Sequence, residues 1–200
     1  MGFDLYGLKP NNPDEAIRPE QLDWSKKHTQ KAKDKYFKSV DEYEEEVVGH
    51  YFRNNVWFWR PLWGFVIASC GDILTDNDAE RGSYNEGHRI SKTKAIRISK
   101  RLSKIDNEGV LEEMQKTADE QRKKADKHNK IVREEMDAVT KACKKEHGES
   151  IVPANYPEPY KTQWEDAFAK EDWHSNYPFS ADNVRDFAEF CENSGGFEIC

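Results

Sequence analysis

The chain predicts an α+β fold: a helix-rich single domain over residues 1–200, with a small sheet drawn from both chain ends and a charged helical elaboration. Three observations predict it. Both ends are short, apolar and strand-like, which is unusual for free termini and is explained if residues 3–5 pair with 197–200. Residues 51–74 form a dense aromatic and aliphatic centre. The charged stretch 14–46 and the charged, helically patterned stretch 110–147 lie on either side of it.

Taken in order, residues 3–8 alternate, with Phe3, Leu5 and Gly7 on one side and Asp4, Tyr6 and Leu8 on the other. Lys9-Pro10-Asn11-Asn12-Pro13 ends this strand. Residues 41–48 look helical, and Glu44-Glu45-Glu46 reads as a solvated face. Pro61 fits the first turn of a helix, where a missing N–H costs nothing. Leu62, Trp63, Phe65, Val66, Ile67 and Cys70 surround that helix on nearly all sides, so it is expected to be central. Residues 75–90 read as loop. Ser91 is an N-cap for a helix carrying Ala95, Ile98, Leu102 and Ile105, ended by Asn107 and Gly109.

From 110 to 147 the spacing predicts one long helix or a helical hairpin. Leu111, Met114, Ala118, Gln121, Ala125, His128, Val132, Met136, Val139 and Cys143 advance by three or four, a narrow seam with polar Gln121 and His128 inside it. The seam is expected to pack on the 14–46 stretch, on another helix, or on a second copy. Gly148 stops it. Residues 150–178 read as a wrapping segment with one short helix at 164–170. Ser180 caps a last helix, Gly195-Gly196 ends it, and 197–200 form the final strand.

Several function classes are excluded at this level. The opening Met1-Gly2-Phe3-Asp4-Leu5-Tyr6 has neither the basic start of a signal peptide nor the Ser or Thr that myristoylation wants at position 6. The apolar stretch at 56–74 is broken by Arg60, Pro61 and Asp72, so no membrane segment is expected. Cys70, Cys143, Cys191 and Cys200 are scattered, and free thiols in a reducing cytoplasm are expected. The net charge of −7 argues against non-specific nucleic-acid binding. Residues 47–105 nevertheless hold ten Lys/Arg against five Asp/Glu, which leaves room for a local anion site. No HExxH, GxSxG or Walker motif is present, so no catalytic residue, cofactor or metal ligand is assigned.

The strongest candidate site lies at 51–63. Arg53 and Arg60 offer forks for carboxylate or phosphate. Asn54 and Asn55 suit base edges or ribose hydroxyls. Trp57 and Trp59 share a side if the segment is extended, where they can stack on a base; equally, the tryptophans can be core. Tyr84, Asn85 and His88 form a second candidate, a turn before a helix N-terminus, with His88 able to act as acid or base.

These residues carry a family resemblance. Met1-Gly2-Phe3-Asp4-Leu5-Tyr6-Gly7, the whole of 51–63, Asn85-Glu86-Gly87-His88-Arg89-Ile90-Ser91, Tyr177-Pro178-Phe179-Ser180 and 190–200 resemble a family of small bacteriophage and bacterial proteins of uncharacterised activity. They cover about half the chain. Typical members pass almost directly from the opening strand to the Tyr51 element, which implies that 14–46 and much of 110–165 are additions. The resemblance implies a phage setting. The leading expectation is therefore a non-enzymatic protein that sequesters a small anionic, nucleotide-like ligand, a host immune signal. Two alternatives stand beside it: a nucleotide-cleaving enzyme using His88, and an interaction module that forms a homo-oligomer through the 110–147 helix.

Overall fold

The computed structural model describes residues 2–11 and 16–200. Met1, the last two residues of the predicted turn, Asn12 and Pro13, and the first two residues of the 14–46 stretch lie outside them. The fold is helix-rich α+β. Strands β1 (Gly2–Gly7), β2 (Tyr51–Asn55), β3 (His88–Ser91) and β4 (Gly196–Ile199) form one antiparallel sheet in the order β2-β1-β4-β3. The two chain ends pair at its centre, Leu5 opposite Ile199 and Tyr6 opposite Glu198. Each end satisfies the other's backbone groups, so neither apolar terminus is left loose. β2 and β3 were not foreseen as strands; both are short and gain their ladder partners only from distant sequence.

Seven α-helices lie among the described residues: α1 (Gln30–Glu46), α2 (Val56–Ser69), α3 (Asp76–Arg81), α4 (Lys92–Asn107), α5 (Val110–His147), α6 (Tyr160–Phe168) and α7 (Ala181–Asn193). Ser91 and Ser180 cap α4 and α7 as expected. After α7, Gly195 and Gly196 take φ of +66° and +94°, a left-handed exit that side chains disfavour. Helix α2 starts earlier than Pro61 predicts. The Asn55 side chain accepts hydrogen bonds from the Trp57 and Phe58 N–H groups, and this cap sets the start at Val56, leaving Pro61 inside the helix. The stretch expected as loop holds α3, fixed by a reciprocal Thr75–Asp78 capping box.

Phe3, Leu5, Ile90, Phe197 and Ile199 point from one face of the sheet into the core, under α2, α4 and α7. Trp59 is fully buried between Phe3, 5.2 Å away and stacked, and Trp63 at 5.4 Å. Their indole N–H groups donate to the Gly82 and Ala79 carbonyls at 2.9 and 3.0 Å. Gly82 is required there, since a Cβ would lie 2.1 Å from the Trp63 ring.

The chain divides into two compact units, 1–114 with 180–200, and 115–179. The second corresponds to most of the expected insertion. Helix α5 is one helix of 38 residues, not a hairpin. Its buried positions include Ala125, Asn129, Val132 and Cys143, while Gln121 and His128 are exposed. The polar seam residue is therefore Asn129. It was missed because between Ala125 and Val132 a step of three then four selects His128, whereas four then three selects Asn129. Its amide donates to the Asp172 carbonyl at 2.8 Å and to the Ser175 hydroxyl at 2.9 Å, and its oxygen accepts from the Asp172 N–H. Residues 150–179 thus return along α5. Gln115 meets Phe179, Glu135 meets Lys170, and Glu146 meets Tyr160. Of the predicted seam, Ala125, Val132 and Cys143 are buried, whereas Met114, Gln121 and His128 stay exposed.

No helix among the described residues is long and apolar enough to cross a membrane; α5 has the length but carries charge throughout.

Candidate functional site

Strand alternation sends one set of side chains into the core and leaves the other on the opposite, open face of the sheet. Register fixes which residues meet there. One row runs Tyr51, Tyr6, Glu198, Arg89 across β2, β1, β4 and β3. The neighbouring row runs Arg53, Asp4 and Cys200, the last two exchanging backbone hydrogen bonds.

The open face is connected. The Tyr51 hydroxyl donates a short hydrogen bond to Asp4, and Arg53 Nε lies 3.5 Å from the same carboxylate oxygen. Arg89 Nε donates to Glu198 at 2.7 Å. The Tyr6 and Tyr51 rings sit side by side, centroids 5.3 Å apart. Tyr6 is 45% exposed, and the Arg53 and Arg89 side chains are 69% and 68% exposed. Partial burial, then the Asp4 hydrogen bond and charge, push the Tyr51 phenol far above its ordinary value. Burial also raises Tyr6, helped by Asp4. Both tyrosines therefore stay neutral and serve as donors and flat apolar faces. Burial followed by the Glu198 and Asp4 charges raises the Cys200 thiol, so it is not activated as a nucleophile.

The residues predicted from sequence do not assemble into one pocket. Arg53 is on the open face. Asn54 is buried, its amide donating to Asn183 at 3.0 Å. Asn55 is occupied as the α2 cap. Because the segment is helical from Val56, Trp57 and Trp59 do not share a side. Trp59 is core and cannot stack on a base, whereas Trp57 is 43% exposed. Arg60 is exposed on α2, which packs against the sheet's other face. Tyr84 is exposed, and Asn85 donates to the Gly2 carbonyl at 3.2 Å, bracing the start of β1.

His88 points to the core side of β3, away from Arg53. Its Nε2 lies 3.0 Å from Asp78, which also accepts from Lys94 and from the Thr75 N–H and hydroxyl. Burial works to raise the Asp78 carboxyl, but these donors outweigh it and hold the group well below the usual carboxylate range. The cluster ties α3, β3 and α4 together. Among the described residues no group of three or more His, Cys, Asp or Glu is placed to hold a metal ion.

Asp4, Tyr6 and Glu198 were not picked out as site residues in the sequence, and Tyr51 and Arg89 only as parts of the 51–63 segment and of a turn. Alternation in 3–8 marked Asp4 and Tyr6 as one face, but only pairing register puts that face beside Arg53 and Glu198. Comparisons with protein-family models, curated proteins and solved structures find no match.

Proposed function

We propose that this protein binds, without turning over, a small anionic ligand carrying a flat base, and that it does so on the open face of its sheet. The observation that carries this reading is the Tyr6–Tyr51 pair flanked by the exposed guanidinium groups of Arg53 and Arg89. Stacking of a base on an aromatic face contributes about 1–3 kcal/mol and needs no particular base. Arg forks match phosphate bidentately. Their present partners, Asp4 and Glu198, form surface ion pairs worth only about 0–1 kcal/mol, so a phosphate can displace them. The freed carboxylates then accept from ribose hydroxyls or base N–H groups. The phage setting implied by the resemblance supports the finer reading, sequestration of a host immune nucleotide.

The test is to denature protein purified from defence-active cells, identify any released small molecule by mass spectrometry, and follow thermal shifts against cyclic and ADP-ribose-type nucleotides. A ligand that binds the native state raises stability by mass action. Arg53→Ala and Tyr6→Ala should abolish the shift while Arg60→Ala keeps it. Loss with Arg60→Ala alone would move the site to α2. A cleaved product would favour the alternative in which His88, oriented by Asp78, acts as acid or base.

A further inference from the structure

A groove of about 370 Å³ lies between α4 and α7, closed by the first turn of α5. Its floor is apolar: Leu102, Leu111, Val184 and Ala188 line it and are nearly fully buried. Its rim is acidic. Glu189 and Glu192 line it, are exposed, and make no ion pair among the described residues. The cation at the rim, Arg185, is already saturated by Asp106, Glu112 and Asp182, two of these at 2.8 and 2.9 Å. The groove is therefore suited to an apolar knob flanked by positive charge.

The chain carries such a knob. Ile131 on α5 is 59% exposed, on the side away from the covered seam. Lys127 sits one turn before it and Lys124 two turns before it, with Lys130 alongside. All three are exposed and make no ion pair among the described residues. Residues 122–131 hold five Lys/Arg against Asp126 alone.

We propose that the α4–α7 groove of one chain seats the lysine-flanked Ile131 ridge of a second copy. Burial of the exposed Ile131 side chain supplies affinity, and the Glu189/Glu192 rim against Lys124 and Lys127 sets the register. This surface is separate from the sheet's open face.

The test is the mass of the full chain in solution by sedimentation, across a wide concentration range and at low and high salt. The expected result is reversible association that weakens as salt screens the rim. Lys127→Glu and Glu192→Lys should each weaken association about tenfold or more, and the double reversal in one chain should restore it. All sites changed are exposed, and circular dichroism checks that each variant is folded. Ile131→Asp should abolish association whatever the salt. A monomeric mass at every concentration overturns the proposal, even if the groove takes a basic peptide of another protein. So does association indifferent to both charge reversals, which places the contact elsewhere.

Discussion

Residues 1–114 with 180–200 bury Trp59, Trp63, Phe187 and Phe197 almost completely, whereas the buried side chains described in 115–179 are Ala125, Asn129, Val132, Cys143, Tyr156 and Ala167. The first unit has large rings stacked between a sheet and three helices. The second has a helix about 57 Å long, counted over all of α5, whose return segment is held largely by hydrogen bonds and exposed ion pairs. The difference teaches where stability and specificity reside. Aromatic burial tolerates little change and gives a rigid platform. Polar strapping contributes less per contact, because each hydrogen bond replaces one to water. Local opening is thus expected first in the 115–179 unit.

The comparison can be broken at several points, taken here from the largest expected effect to the smallest. Trp59→Ala removes the ring between Phe3 and Trp63 and should cost about 3–5 kcal/mol in denaturant unfolding. A cost below about 1 kcal/mol would mean the aromatic core is not what holds the sheet. Asp78→Asn should cost about 2–3 kcal/mol at neutral pH, since Lys94 and His88 lose their buried partner. The pH dependence has a definite sign. Asp78's folded value lies below its ordinary 3.8, so its stabilisation is complete above 3.8 and is lost as pH falls through the folded value. The gap between wild type and Asp78→Asn should therefore close in acid; a gap that widens there contradicts the assignment.

Asn129→Ala strips the Asp172 N–H and carbonyl of their partner and should cost about 1–3 kcal/mol, confined to its own unit. Hydrogen exchange should speed up in 125–136 and 160–175 and stay unchanged in the four strands. Loss spread evenly through the sheet would show that the two units unfold as one. Arg53→Ala should change stability by less than about 1 kcal/mol, because its pair with Asp4 is exposed. Its effect is expected on ligand binding.

Local signals were legible where the chemistry is local. Ser91 and Ser180 read as caps because a hydroxyl beside a periodic run satisfies orphan N–H groups wherever the chain goes next. The apolar ends read as partners because free apolar termini are otherwise unexplained. The 51–63 segment was visible as exceptional, but its geometry was not. One asparagine, Asn55, decides whether the tryptophans lie along a strand or a helix, and both states suit the same residues. Similarly, His88 looked like surface chemistry until Asp78 and Lys94 arrived from outside its own turn.

By itself the sequence determined the class of fold, the Ser91 and Ser180 caps and the charged character of 14–46 and 110–147, which follow from neighbours within a few residues or from composition, and it suggested the pairing of the ends through their apolar character. Tertiary structure alone decided that Trp59 is core, that α5 is covered by its own return segment, and that Asp4, Tyr6, Tyr51, Arg53, Arg89 and Glu198 share one open face. The physical reason is register: cross-strand neighbours are set by which backbone groups pair over long separations, and a shift of one residue would turn every one of these side chains to the other side.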